Sequence, residues 1–321
     1  MIVMGDSHTP TDLILAIDIG SREFLAGLIT LRGRVIDWDR HEVEVDVGPQ
    51  SHFAGLAAIV TNQLEHAETR HDARVVAIGV GCSGQVEGNC DAVTPIRLPA
   101  WRSFPLRSHL SDLTGIPVYG AHAATALALG EGWRGAAKGL SSFAVISVST
   151  GIGGAFVVDG ELVEGNSGHA GDVGHIIVEP GGRRCSCGAR GCLASEASGL
   201  AIEQITGRPP TEPSYDIMTR TGRLVGRAAG MICSTLDLDL VVIGGGVALG
   251  FAATFFNAAQ QELDRVSRVG LGTAPRVTPA RLGFHGDLIG AGAVGIRGMR
   301  RDPAVVSRPR AEPESAPSPE E

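Results

Sequence analysis

Two stretches of this chain follow one plan. LILAIDIGSREFLAGLITL opens the first half, and SFAVISVSTGIGGAFVVDGELV opens the second. Each is an apolar run, a turn containing glycine, and a returning apolar run. Such runs read as buried strands, and the short link makes each pair an antiparallel hairpin. Two halves that open alike predict a duplicated α/β fold with a cleft between two lobes.

The segments between the hairpins agree with this plan. RVIDWDRHEVEV adds a third antiparallel strand to the first hairpin. HFAGLAAIVTNQLEHAE has helical period, with Phe53, Leu56, Ile59, Val60 and Leu64 on one face. RVVAIGVGCSG is a buried strand that runs into a glycine-rich loop. Residues 116–119 form a short strand that turns into the alanine-rich helix AHAATALALGE. In the second half GRLVGRAAGMICSTL is a helix, DLVVIGGGVAL is a strand ending in three glycines, and DLIGAGAVGIRGMR is a helix of small residues. Residues 1–11 read as a flexible leader. SRPRAEPESAPSPEE, within 301–321, is too polar and proline-rich to bury a core and reads as a disordered tail.

The net charge of −8 argues against a nucleic-acid partner. No apolar run approaches membrane-spanning length and no signal peptide is visible, so a cytoplasmic protein is expected. Three of the six cysteines fall within eight residues, in GHIIVEPGGRRCSCGARGC. In such a compartment that spacing points to metal and not to disulfides. His175, Cys185, Cys187 and Cys192 offer three thiolates and an imidazole, a tetrahedral zinc set with no position left for water. Such a closed site is structural, holding its loop and orienting the neighbours of His175 toward a ligand. Three buried free cysteines are the alternative.

Three turns at strand ends could cradle phosphate: Asp18-Ile19-Gly20, Ser149 to Gly154 around Thr150-Gly151, and Gly244-Gly245-Gly246. Bare N–H groups there can bind phosphate oxygens, and a carboxylate such as Asp18 can hold magnesium through water. Any one of them could be an ordinary turn; their order along the chain makes a nucleotide site the stronger explanation.

With these motifs in hand, residues 12–300 resemble the ROK family of sugar kinases and regulators within the actin-like ATPase superfamily. The resemblance rests on GHAGDVGHIIVEPGGRRCSCGARGC, STGIGGAFVVDGELVEG and VVIGGGVA. It implies a two-lobed actin-like (ribonuclease H-like) α/β fold with an interlobe cleft and a structural zinc loop. One lobe would comprise 12–122 plus 287–300, and the other 123–286. It also implies ATP with Mg2+, a sugar-like small-molecule ligand, and a homodimer or homotetramer. The helix-turn-helix of family repressors is expected to be absent.

The departures from the family pattern are more informative. The family's Asn-Asp pair, whose Asp takes the proton from the sugar hydroxyl, falls on His122-Ala123. In the first phosphate turn a Thr becomes Arg22. The sugar-contacting Asn becomes Arg97, and a sugar-holding Glu becomes Ala194, with Glu196 two residues on as a partial substitute. The acidic residue before Gly-His is Asp172 on a shorter arm than Glu. The resemblance therefore implies a ligand site of Arg97, His122, Asp172, His175 and Glu196, and a nucleotide site of Asp18, Gly20, Arg22, Thr150, Gly151 and Gly244–Gly246, with no base at 123. His122 is either a replacement base or a helix-start residue. Arg22 and Arg97 either grip an anionic ligand, or turn to solvent or to Asp18 and Asp172. The expectation is a non-phosphorylating binding or regulatory protein for an anionic sugar-like molecule; the alternative is an active kinase, or another sugar-modifying enzyme, using His122.

Overall fold

The computed structural model describes residues 10–44, 47–267 and 274–302. Most of the expected leader and tail lie outside these residues; their inner ends, Thr11 and Arg301, belong to the first strand and the last helix.

The first hairpin is β1 (Thr11–Ile19) and β2 (Glu23–Thr30), extended by β3 (Val35–Glu42). Helix α1 (Pro49–His71) then leads to β4 (Ala73–Cys82), which lies parallel to β1 on its other side. Pro49 suits the first turn of α1, where an N–H would lack a partner. A small hairpin, β5 (Gln85–Glu87) and β6 (Ala92–Thr94), and helix α2 (Leu106–Thr114) precede β7 (Val118–His122). The sheet order is β3-β2-β1-β4-β7.

Helix α3 (Ala123–Arg134) follows β7 directly. The second hairpin is β8 (Phe143–Val148) and β9 (Ile152–Val158), extended by β10 (Glu161–Leu162). After a long loop come α4 (Leu193–Ala197), α5 (Gly199–Thr206) and α6 (Tyr215–Leu236). β11 (Leu240–Gly244), α7 (Gly246–Val266), β12 (Arg276–Pro279) and α8 (Gly286–Arg301) complete the chain. The sheet order here is β10-β9-β8-β11-β12. In each sheet two antiparallel pairings are followed by two parallel ones, so the repeated hairpin does mark a repeated fold.

Each sheet has its own core. Leu15, Ile17, Phe24, Leu56, Val60 and Trp101 fill one, and Ile146, Val148, Leu193, Val225 and Phe255 the other. The expected face of α1 is the face that packs: Leu56, Ile59 and Val60 are buried, with Phe53 and Leu64 against them. The small-residue helix α8 lies on the first sheet and against α3. A Cβ at Gly79 would stand 2.0 Å from the Ala291 carbonyl oxygen, and one at Gly290 would stand 2.7 Å from that of Ala126. Only glycine permits backbones this close. The pattern G-x-x-x-G in α8 is thus a packing surface, and it brings the start of α8 to the cleft.

Candidate functional site

The cleft is built from strand ends and helix starts, as open α/β sheets direct. Asp18, near the end of β1, lies beside Gly20 and Gly81. Burial, then Asp287 and Glu23, hold its carboxyl well above the usual range. Asp287, in the first turn of α8, is raised by burial and by Glu23. Three carboxyl groups converge, and a hydrated divalent cation would relieve their repulsion. Sequence reading found Asp18 but missed Asp287 and Glu23. Asp287 becomes relevant only through the docking of α8. Glu23 stands in the phosphate-turn motif itself and was legible.

The first glycine turn closes through the Gly20 N–H, which donates to the Glu23 carbonyl at 3.2 Å. Arg22 is exposed on this turn. The second turn faces it: the Ser21 and Thr150 hydroxyls are 3.1 Å apart. Gly151 sits under Ile96 of the first sheet's loops, where a Cβ would come within 2.6 Å of Cδ1. Gly244 ends β11, Gly245 has φ +90°, and Gly246 begins α7. A Cβ at Gly245 would meet the Val148 carbonyl oxygen at 2.3 Å. This turn therefore needs glycine, and it opens onto the N-terminus of α7, whose first segment ends at a kink at Ala252 (φ +51°).

Ala123 is the first residue of α3, where its methyl group replaces any acid. His122 caps this helix: its Nδ1 accepts the Ala124 N–H at 3.2 Å. A neutral ring whose Nδ1 accepts must carry its proton on Nε2. Burial lowers the His122 pKa, Asp172 opposes this, and His169 adds to it. His122 is thus a neutral donor in this geometry and has no lone pair free to act as a base.

Arg97 does not face Asp18 or Asp172. It has φ +64° and pairs with Glu203 of α5, across from the first sheet. Glu196 is 2% exposed, and both of its oxygens are committed: one accepts the Arg183 N–H at 2.6 Å, the other Arg220 Nη2 at 2.6 Å. These two contacts tie Glu196 to the metal loop and to α6. Ala194 lies beside Gly174, at the loop that carries Asp172 and His175. Sequence reading also missed Glu131 of α3. This buried carboxylate accepts the N–H groups of Ala136 at 2.5 Å, Arg281 at 2.8 Å and Leu282 at 3.2 Å, fixing the approach to α8.

The four expected metal ligands do come together. The ligand atoms of His175, Cys185, Cys187 and Cys192 all lie within 4.8 Å of one another. Cys185 Sγ is 3.5 Å from His175 Nδ1, and Cys187 Sγ is 3.7 Å from Cys192 Sγ. Ligands about 2.0–2.3 Å from a central ion stand roughly 3.3–3.8 Å apart in a tetrahedron. The thiols alone conflict. Burial opposes ionisation of Cys185, yet hydrogen bonds from Cys187, Cys192 and His175 bring it to about 7. Burial and its thiol neighbours push Cys192 up to about 12. A divalent cation would resolve this conflict by ionising all three. His175 Nε2 is 3.7 Å from Asp172 Oδ2, so the metal loop and the cleft share a residue pair.

Among the described residues no helix is long and apolar enough to cross a membrane. The ROK family model matches residues 14–297. The glucokinase of Halalkalibacterium halodurans is 28% identical over 87% of this chain and 93% of its own. The N-acetylmannosamine kinase of Escherichia fergusonii is 30% identical over 73% of this chain and 83% of its own. Among solved structures, a ROK family glucokinase from Streptomyces griseus in complex with glucose and AMPPNP superposes with a TM-score of 0.75. It is 25% identical over 89% of this chain and 100% of its own. The two matching sheets, the facing glycine turns and the Cys/His cluster agree with these likenesses: the chain has the actin-like ATPase fold and belongs to the ROK family.

Proposed function

We propose that this chain is a sugar-kinase homologue that binds a sugar-like small molecule without phosphorylating it. The carrying observation is Ala123 at the start of α3, with its neighbour His122 committed as the helix cap. General-base assistance contributes roughly 100- to 10,000-fold. Ala194 removes a second acidic contact.

The sugar-like ligand class is supported by the relatives, which are glucokinases and N-acetylmannosamine kinases. Arg22, exposed on the first turn, favours a phosphorylated or acidic sugar over a neutral one, whereas Arg97 is withdrawn from that task by Glu203. ATP with Mg2+ would use Asp18, Thr150, Gly151 and the Gly244–Gly246 turn, with Asp287 and Glu23 joining Asp18 around the cation. The Cys3His donor set suits Zn2+, and with four protein ligands such an ion is structural. A cytoplasmic homodimer or homotetramer completes the proposal, supported by family membership.

ADP release is the test, with glucose, N-acetylmannosamine and their 6-phosphates. The unaltered protein is expected to release none above background. Ala123→Asp is expected to bring turnover above background if the rest of the machinery is intact. Brisk, metal-dependent phosphorylation by the unaltered chain would overturn the proposal. In parallel calorimetry, tight binding of a neutral sugar and none of its phosphate would remove the preference for anions only.

A further inference from the structure

A pocket of about 390 Å3 lies between the metal loop and helices α4, α5 and α6, and none of the phosphate-turn residues or Ala123 lines it. Its polar wall is Arg183, Arg190, Arg220 and Glu196; Gly181 and Ile205 flank them. The buried Glu196 organises this wall. Arg220 spends its fork on Glu196, with Nη2 on the carboxylate and Nη1 on the backbone carbonyl, both at 2.6 Å. The other carboxylate oxygen holds the Arg183 backbone.

Arg183 and Arg190 are differently placed. Arg183 Nη2 is 3.4 Å from Gln204 Oε1, and Arg190 Nε is 3.5 Å from the Gly181 carbonyl oxygen. Both contacts are at the long limit of hydrogen bonding. Among the described residues neither guanidinium is ion-paired with a carboxylate. The backbone bridge between Arg184 and Arg190 pins the two arms of the loop, so the like charges of Arg183 and Arg190 line one pocket. Like charges held together are unfavourable unless a counter-ion joins them. Three guanidiniums against one carboxylate leave two positive charges, which match a phosphate dianion.

We propose that this pocket is an anion site for the phosphate group of a small molecule, separate from the cleft. Arg183 and Arg190 supply the gripping N–H groups, and the Arg220–Glu196 pair fixes the frame behind them. Gln204 and Ile205 belong to α5, next to Glu203, the partner of Arg97. An occupant would therefore tie the metal loop to the helix that meets the other half of the molecule.

Calorimetric titration of the metal-loaded protein at constant ionic strength tests this, with inorganic phosphate and a hexose 6-phosphate as probes. Binding is expected, weakened about tenfold by Arg183→Gln or Arg190→Gln, the loss of one charge-assisted contact. The double variant is expected to lose inorganic phosphate binding and one equivalent of hexose 6-phosphate, while Arg184→Gln, outside the pocket wall, and Arg22→Ala, in the cleft, keep the pocket's equivalent. Equal binding of both probes would identify free phosphate, and tighter binding of the hexose phosphate would identify a phosphorylated metabolite. Either supports the site. Unchanged metal content and circular dichroism show that the variants are folded. No binding of inorganic phosphate at millimolar concentrations, or a hexose 6-phosphate stoichiometry that is unchanged in the double variant, would overturn it. Binding lost only in Arg22→Ala would place the anion in the cleft and also overturn it.

Discussion

Arg97 and Glu203 are ion-paired across the two halves of the molecule. The pair joins the loop after β6 to helix α5, close to the contact of Ser21 with Thr150. Both side chains are more than one-third exposed, so the pair is worth less than about 1 kcal/mol in stability. Arg97→Asn is expected to leave the melting temperature almost unchanged while loosening closure. Small-angle scattering should show a larger radius of gyration for the variant. A loss of stability above about 3 kcal/mol would instead mark Arg97 as part of the fold's core.

Asp172 is expected to support the metal through His175. A carboxylate behind a ligating imidazole sets its orientation, and removing it typically costs about 10- to 100-fold in metal affinity. The 3.7 Å separation makes the lower figure the expectation for Asp172→Asn. Competition with a chromogenic chelator measures it. Unchanged affinity would show that Asp172 serves the cleft alone.

Glu131 anchors three backbone N–H groups from inside the protein. Glu131→Gln keeps the shape but turns an NH2 toward an N–H donor. One unsatisfied buried group costs about 1–3 kcal/mol, and urea unfolding should show that loss. Because Arg281 and Leu282 lead into α8, the variant should also weaken any cation binding that uses Asp287. Stability equal to the parent would mean that the contacts with Glu131 contribute nothing net.

His52 gives the fold an acid-sensitive element. It is 1% exposed, and burial, then His41, lowers its pKa below 6.5. The unfolded chain therefore binds a proton more readily than the folded one. Its contribution is present above pH 6.5 and is lost as pH falls toward and through the folded value. Urea midpoints at pH 7.5 and pH 5.5 should differ in the parent and differ less in His52→Gln. An identical pH response would assign the effect to other groups.

The hairpins and the α1 face were legible because strand and helix periods are local and dominate the apolar pattern. The Cys/His cluster was legible because C-x-C with nearby glycines constrains a loop within a few residues. The glycine turns at strand ends could be located, but the side chains that folding brings around them could not. The partners of Glu196 were hidden because spacing along a short helix does not reveal that Arg183 and Arg220 bond to its two oxygens. The partner of Arg97 was hidden for the same reason: Glu203 is over a hundred residues away and carries no local sign of the pairing.

The order of residues by itself determined the repeated sheet plan, the Cys/His donor set and the methyl group at position 123. These follow from side-chain chemistry and short spacing alone. Only the tertiary structure decided that His122 Nδ1 is taken up in capping α3, that Asp287 joins Asp18, and that Arg97 pairs with Glu203. Each of those outcomes depends on which lone pair or charge is already satisfied by a group that folding brings near, and one-dimensional spacing holds no record of that.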